Sequence, residues 1–287
     1  EQCVSDALMR LNIPHLRFNM EDSFAALELL RDLEADIIFR QSQWDNLYPP
    51  AFSSEYLTFS KVCIVPYGVI ILEKYSTGGE EEEKPNALSC DTPYHRRAWR
   101  IFCETEYALE QFQSFQHSGP DKLVLSGYPK FRSLLDEAPA WPFPEHQPVA
   151  QRPFRVIWAP HHSVKDAWLN FGTFDENYMS FLEWASTSPD IEFVFKPHPE
   201  LLKSVVNRHI LTQDQVDYFI ARWSSLENCQ YADGRYGGLF AASDIMITDG
   251  VSFLVEYQIF EKPLVFFDSG RHAPFNEIGK LAKSCAY

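Results

Sequence analysis

Three short stretches in the second half of the chain collect the residue types that handle phosphate. "WAPHHS" carries His161, His162 and Ser163, "KPHPE" carries Lys196, His198 and Glu200, and "DIMITDGVSFLVE" carries Thr248, Asp249, Gly250, Ser252 and Glu256. Imidazole, ammonium and hydroxyl groups all donate hydrogen bonds to phosphate oxygens. A helix starting near Val251 would add unpaired backbone N–H groups and the positive end of its dipole. Gly250 would let backbone approach a phosphate closely, and the Ser252 hydroxyl would donate a further bond. Glu256, four residues after Ser252, falls on the same helical face, where a carboxylate can accept bonds from ribose hydroxyls. Each piece also has a plain structural reading. The prolines of "APHH" and "KPHP" end strands, Asp-Gly is a common turn, Ser252 can cap its own helix, and Glu256 can be a solvated acid. Their joint occurrence at three strand ends favours one shared site.

The elements that must position these residues follow from periodicity. Apolar, β-branched runs at "FRVIWAP", "IEFVFKP", "NCQYA", "DIMIT" and "PLVFF" read as strands, with helical spacing in "ENYMSFLEWAS" and "DQVDYFIARWSSL" between them. Such alternation predicts a parallel sheet with both faces covered, and in that arrangement ligands bind beyond the carboxyl ends of the strands. The first half alternates as well. "HLRF", "DIIFRQ", "KVCIVPYG", "AWRIFCET" and "DKLVLSGYPKF" read as strands, "SFAALELLRDLEA" and "EYALEQFQSFQ" as helices, and "STGGEEEEKPN" (76–86) as a solvated loop. Residues 138–153, "APAWPFPEHQPVAQRP", have a linker's composition. The expected fold class is therefore α/β, with two doubly wound Rossmann-like domains at 1–137 and 154–287 joined by a Pro-rich hinge at 138–153.

Bulk properties narrow the partners. A chain of 287 residues with 45% hydrophobic and 15% aromatic content fills real cores. Its net charge of -15 argues against nucleic acid, which needs a basic stripe. No apolar run reaches the roughly 18 residues of a membrane span. The six cysteines show no CxxC spacing and read as reduced structural thiols of a cytosolic protein. No Asp-X-Asp triplet is present for a divalent metal, and no cofactor is expected. The start at Glu1 and the end at "GKLAKSCAY" suggest a trimmed segment of a longer protein.

Taken in order, "SGYPKF", "WAPHHS", "FKPHPELL" and "ITDGVSFLVEYQIFEKPLVFF" resemble the CDP-glycerol glycerophosphotransferase family, the bacterial teichoic-acid and capsule polymerases. The resemblance implies a GT-B architecture, two Rossmann-like domains facing across a cleft. His198-Pro199 falls on the family's strand-end His-Pro. Thr248-Asp249, Ser252 and Glu256 fall on its Thr-Asp-Tyr-Ser-Ser with a later acid, Gly250 and Val251 replacing the Tyr and first Ser. The family's first domain shows Gln-Thr-Trp-His-Gly, and "RQSQWDNLYP" puts Trp44 on the Trp and Asp45 where the presumed base His stands. The resemblance thus implies Asp45 and His198 as catalytic residues. It implies a donor site of His161, His162, Ser163, Lys196, Thr248, Asp249, Gly250, Ser252 and Glu256. The implied reaction moves a polyol-phosphate unit from a CDP-activated donor, or another nucleotide-diphosphate donor, to a hydroxyl on a glycan or polyol-phosphate chain. The setting it implies is the cytoplasm, with peripheral association at the inner face of the cell membrane. Alternatives are a GT-B glycosyltransferase using a nucleotide-sugar, a nucleotide-sugar 2-epimerase, and a catalytically silent nucleotide-binding relative.

Overall fold

A computed structural model describes residues 2–17, 19–42, 44–73, 90–145, 152–165 and 169–287. The acidic 76–86 tract lies outside the described residues. The chain forms two compact units, one of Glu1–Tyr67 with Ser76–Ser126, the other of Gly68–Tyr75 with Gly127–Tyr287.

The first unit holds a four-stranded parallel sheet of β1 (Ile37–Arg40), β2 (Lys61–Ile64), β3 (Arg100–Cys103) and β4 (Leu123–Leu125), in that spatial order. Its helices are α1 (Gln2–Arg10), α2 (Phe24–Asp32), α3 (Pro93–Arg97) and α4 (Glu106–Phe115). The "HLRF" stretch, expected as a strand, is not one where described, and residues 15–17 have no regular structure. Strands that neighbour one another in chain order, joined by right-handed crossovers, place their connections on one face. The burial follows. Val62, Ile64, Ile101 and Cys103 on one face are at most 5% exposed, whereas Ile37 and Phe39 on the other are 38% and 62% exposed.

The second unit holds a five-stranded parallel sheet in the order β7-β6-β5-β8-β9. The strands are β5 (Phe154–Ala159), β6 (Ile191–Phe195), β7 (Cys229–Tyr231), β8 (Ile245–Thr248) and β9 (Leu264–Phe266). The chain builds outward from β5 through β6 to β7, then returns to lay β8 on β5's other side. That reversal makes a topological switch point between β5 and β8. Both faces are covered, and successive residues alternate between them as a pleat requires. Val156, Trp158, Phe193 and Phe195 pack with Phe181, Val205 and Trp223 of α6 (Phe174–Thr187), α7 (Leu201–Asn207) and α8 (Gln213–Ser224). Ile157, Val194, Met246 and Leu264 pack with Phe240 of α9 (Gly237–Ala242) and Leu254 of α10 (Val251–Glu256).

The hinge expected at 138–153 is corrected in part. Residues 127–145 belong to the second unit, and 146–151 lie outside the described residues. A short helix, α5 (Lys130–Leu135), opens this segment. Trp141 and Phe143 pack on the second core, Trp141 Nε1 donates to Glu192 (2.7 Å), and Ala140 N donates to the Gly238 carbonyl (2.9 Å). The reason is a glycine pair. A Cβ on Gly237 would fall 2.5 Å from the Leu134 oxygen and one on Gly238 2.5 Å from the Ala138 oxygen, so only glycine lets the backbones approach this closely. Residues 68–73 also join this unit, burying Ile71 and Leu72 in the same core.

Candidate functional site

The carboxyl ends of β5, β6 and β8 are bound together before any ligand arrives. Thr248 donates through Oγ1 to the Ala159 carbonyl (2.6 Å) and accepts from Gly250 N (2.9 Å). Asp249, 2% exposed, accepts from His161 N (2.5 Å), Thr173 N (2.6 Å) and Thr173 Oγ1 (2.8 Å). His198 N donates to the Pro160 carbonyl (3.0 Å), tying the β6 end to the β5 end. Burial pushes the Asp249 carboxyl up to about 6, against the hydrogen bonds from His161 and Thr173 that pull it down.

These contacts revise three expected donor-binding residues. Thr248 and Asp249 use their side chains on the protein's own backbone, so they shape the site from beneath. The Gly250 N–H is already donated to Thr248, and a Cβ there would sit 3.0 Å from Thr248 Oγ1. Glycine at 250 therefore serves the packing of the turn, which has φ -84°.

Above this base lie three imidazoles. Ring centroids of His161 and His162 are 4.4 Å apart, of His162 and His198 4.1 Å, and of His161 and His198 5.3 Å. One ring nitrogen of each lies within 4.8 Å of those of the others. That spacing alone would also suit a metal ion, and tautomers decide between the two. Ser163, buried, accepts from Phe171 N (3.1 Å), so its hydroxyl hydrogen is left for His161 Nδ1 (2.8 Å), which also accepts from Ser163 N (3.3 Å). His198 Nδ1 accepts from Glu200 N (3.2 Å). With both Nδ1 lone pairs taken, the neutral rings of His161 and His198 carry their hydrogen on Nε2. The cluster thus offers N–H donors, which suit anion oxygens, where a metal would require lone pairs. Burial, then the charges of His162 and His198, hold His161 well below the usual histidine range. Burial, then His162 and Lys196, push His198 down to about 4. Both are therefore neutral at pH 7.

Lys196 follows β6 directly and is only 4% exposed. Among the described residues its ammonium makes no hydrogen bond or ion pair. It lies 5.6 Å from the centre of the Tyr236 ring. Burial, partly offset by Asp233 and reinforced by Lys130, lowers its pKa. A largely buried cation without an ion pair carries a desolvation cost that a bound anion would relieve.

Two further residues join this rim that sequence reasoning had not placed there. Lys130, at the start of α5, lies 5.0 Å from the Tyr236 ring and bonds Glu256 Oε1 (3.2 Å), and Tyr236 OH donates to Glu256 Oε2 (2.5 Å). Glu256 is 2% exposed with both oxygens engaged, so it does not face solvent as a ribose acceptor would. Tyr236 follows β7, and the sheet order puts every strand's carboxyl end on one rim. That fourth strand end was the available signal. Lys130 sits in the "SGYPKF" end of the stretch expected as a strand, where the structure starts α5. Ser252 is exposed on the first turn of α10, as expected of a group available to a ligand.

In the first unit, the Asp45 carboxylate is engaged by its own neighbours. Its carboxylate accepts from Arg40 Nη1 (2.8 Å), Ser53 Oγ (3.2 Å), Ser54 N (2.9 and 3.0 Å) and Ser54 Oγ (2.7 Å). Burial would raise its pKa, but the Ser54 and Arg40 bonds outweigh it and hold the group below the ordinary carboxylate value. Arg40 is in turn 5% exposed and stacked on Tyr48 and Tyr94, with its guanidinium carbon 3.8 and 4.6 Å from the ring centres. Asp45 closes the 3-10 turns after β1 and carries no free lone pair suited to an acceptor proton.

The CDP-Glycerol:Poly(glycerophosphate) glycerophosphotransferase family matches residues 73–272, well over half of the chain. The chain belongs to this family. The match spans the whole rim of the second unit and leaves Asp45 outside it. No curated protein sequence matches the chain. Among solved structures, Staphylococcus aureus MnaA with UDP aligns at TM-score 0.56 and 13% identity, over 96% of this chain and 71% of that one. Methanocaldococcus jannaschii UDP-GlcNAc 2-epimerase with UDP-GlcNAc and UDP aligns at 0.55 and 12%, over 97% and 75%. A variant of the wall teichoic acid polymerase TagF soaked with CDPG aligns at 0.50 and 16%, over 81% of this chain and 54% of that one. The chain thus spans about half the length of that polymerase. These likenesses establish the fold, a GT-B type of two Rossmann-like α/β units. No helix among the described residues is long and apolar enough to cross a membrane.

Proposed function

We propose that this family member transfers a glycerol-phosphate-like unit from a CDP-activated donor to a hydroxyl acceptor in the synthesis of a bacterial cell-surface polymer. The observation that carries the reading is Lys196, a buried ammonium with no hydrogen bond or ion pair among the described residues, beside imidazoles whose tautomers present N–H groups. In a chain of net charge -15, such a concentration of unsatisfied donors at a switch point suits a nucleotide diphosphate. His198 and Lys196 bind the diphosphate, with His161 and His162 beside them. The acceptor hydroxyl attacks the phosphorus bonded to the polyol, the P–O–P bond breaks, CMP leaves with the bridging oxygen and its electron pair, and the hydroxyl proton passes to the departing phosphate. Lys196 and the imidazole N–H groups stabilise the charge gathering on the phosphates. Such transfers are loose and depend on positioning and charge neutralisation more than on a strong base. That fits an Asp45 already saturated by its own neighbours.

The same Asp45 supports a second reading, a nucleotide-binding relative without turnover. Incubation with CDP-glycerol, CDP-ribitol and UDP-sugars, each with and without acceptor, separates the two. Acceptor-dependent CMP release is expected. Tight nucleotide binding with no release under any acceptor would sink the transferase, and release from UDP-sugars alone would shift the reading to a glycosyltransferase.

A further inference from the structure

We infer that Glu256 is a positioning residue, which acts by holding Lys130 and Tyr236 so that the Lys130 ammonium becomes a second phosphate-binding cation beside Lys196. The inference rests on the nucleotide-diphosphate reading of the rim and assigns roles within it.

Glu256 sits at the end of α10, where a helix-borne acid would be read as a ribose ligand. Its surroundings say otherwise. It is 2% exposed, one oxygen takes the Lys130 ammonium and the other takes the Tyr236 hydroxyl. A carboxylate accepting two such bonds from inside the protein is anchored, and its reach is used up. Lys130 is different. Its side chain is 39% exposed, and an ammonium with three donors has given one to Glu256. Both lysines lie near the Tyr236 ring, at 5.0 and 5.6 Å from its centre. The ring is therefore a shared spacer between two ammoniums, and its hydroxyl is fixed by Glu256. Two lysines kept close against their mutual repulsion call for negative charge nearby, which Glu256 supplies to Lys130 and the unbonded Asp233 supplies only in part to Lys196. A diphosphate supplies the rest.

The test uses ligands that separate phosphate from ribose. Affinities of pyrophosphate, CDP and 2′,3′-dideoxy-CDP are measured by calorimetry for the wild type, Glu256→Gln, Lys130→Met and Tyr236→Phe. If Glu256 positions Lys130, Glu256→Gln and Lys130→Met each weaken pyrophosphate and CDP about tenfold. The CDP to dideoxy-CDP ratio stays as in the wild type, and Glu256→Gln adds nothing in the Lys130→Met background. A ribose ligand would give the opposite pattern, with pyrophosphate untouched and the ratio collapsing towards one, and that overturns the inference. Stronger pyrophosphate binding by Glu256→Gln also overturns it, because the acid would then merely repel phosphate. Should Glu256→Gln fail to fold, Tyr236→Phe removes one of its two bonds, keeps the ring, and is expected to weaken pyrophosphate about threefold. No binding of pyrophosphate or nucleotide by the wild type would instead count against the donor-site reading itself.

Discussion

The carboxyl ends of the two sheets each carry a buried cation, one ion-paired with an acid and the other with no ion pair among the described residues. In the first unit, Asp45 and Arg40 meet each other, two serines lock the acid, and two tyrosines sandwich the guanidinium. In the second unit, Lys196 is equally buried, makes no ion pair among the described residues and has only the unbonded charge of Asp233 to offset its burial. An ion-paired cation holds a loop in place even though Arg40 Nε and Nη2 find no hydrogen-bond partner, whereas a cation without an ion pair leaves a demand for a ligand's charge. Topology gives the difference its location. The first sheet runs in chain order, while the second reverses between β5 and β8, the kind of switch point at which open α/β sheets bind ligands.

The comparison is broken most severely by removing the groups that prebuild the second rim. Asp249→Ala leaves Thr173 N, Thr173 Oγ1 and His161 N without their acceptor in a closed interior. At about 1–3 kcal/mol for each orphaned donor, a loss of about 4 kcal/mol in urea unfolding is expected after partial relaxation. A loss below about 1 kcal/mol would mean that the rim is not held from beneath.

Acid should strike the first unit through a histidine of purely structural use. His95 is 1% exposed, with Nδ1 against Thr92 Oγ1 (2.7 Å), and burial pushes it down to about 4. A histidine whose folded pKa lies below its unfolded value of about 6.5 is held neutral by the fold. Its stabilising effect is therefore complete above pH 6.5 and is lost as pH falls through 6.5 towards 4. The shift corresponds to about 3 kcal/mol at 1.36 kcal/mol per unit. Unfolding followed across that window should show this loss, and His95→Gln should flatten it. An unchanged slope in the variant would remove His95 from the account.

Much of this contrast could be read in the amino acids, and the part that could not has a common cause. Strand positions in the second unit followed from continuous apolar runs and helix positions from a period of 3.6, because "FRVIWAP" and "IEFVFKP" are buried on both faces. The clustering of His161, His162, Lys196 and His198 followed from strand ends sharing a rim. What failed was the direction of individual side chains. Thr248, Asp249 and Glu256 are polar residues at strand and helix ends, and sequence does not say whether such a group turns to ligand or to backbone. The Pro-rich 138–153 segment looked like a free linker because the Gly237-Gly238 pair that receives it lies about 100 residues later, and only the fold brings the two together.

Lys196→Met sharpens the comparison by moving binding and stability in opposite directions. Losing a charged hydrogen bond to phosphate should cost about 2 kcal/mol of nucleotide affinity, roughly thirtyfold. Removing an unpaired buried charge should raise the unfolding free energy of the ligand-free protein by about 1 kcal/mol. Calorimetry and thermal melts on the same samples check both. A variant that binds normally, or that loses stability, would make Lys196 structural. Asp45→Asn should behave in the reverse sense. It weakens a half-buried ion pair, so about 1.5 kcal/mol of stability should go while nucleotide affinity and turnover stay within threefold. A loss of turnover beyond a hundredfold in a normally stable variant would restore Asp45 as the base.

The smallest effect belongs to Ser252. Its hydroxyl is exposed on the first turn of a six-residue helix, and it holds nothing in place within the protein. Ser252→Ala should leave the melting temperature within a degree and weaken CDP binding about threefold, the share of one neutral hydrogen bond to a ligand that Lys196 and the imidazoles already hold. The measurement bears on the comparison because Ser252 alone among the second unit's expected donor-binding hydroxyls is not engaged internally. If the substitution costs as much affinity as Lys196→Met, the donor's phosphates rest on the helix end. If it costs nothing, binding belongs to the buried cations and imidazoles, and the rim's specificity comes from groups that the fold has left unsatisfied.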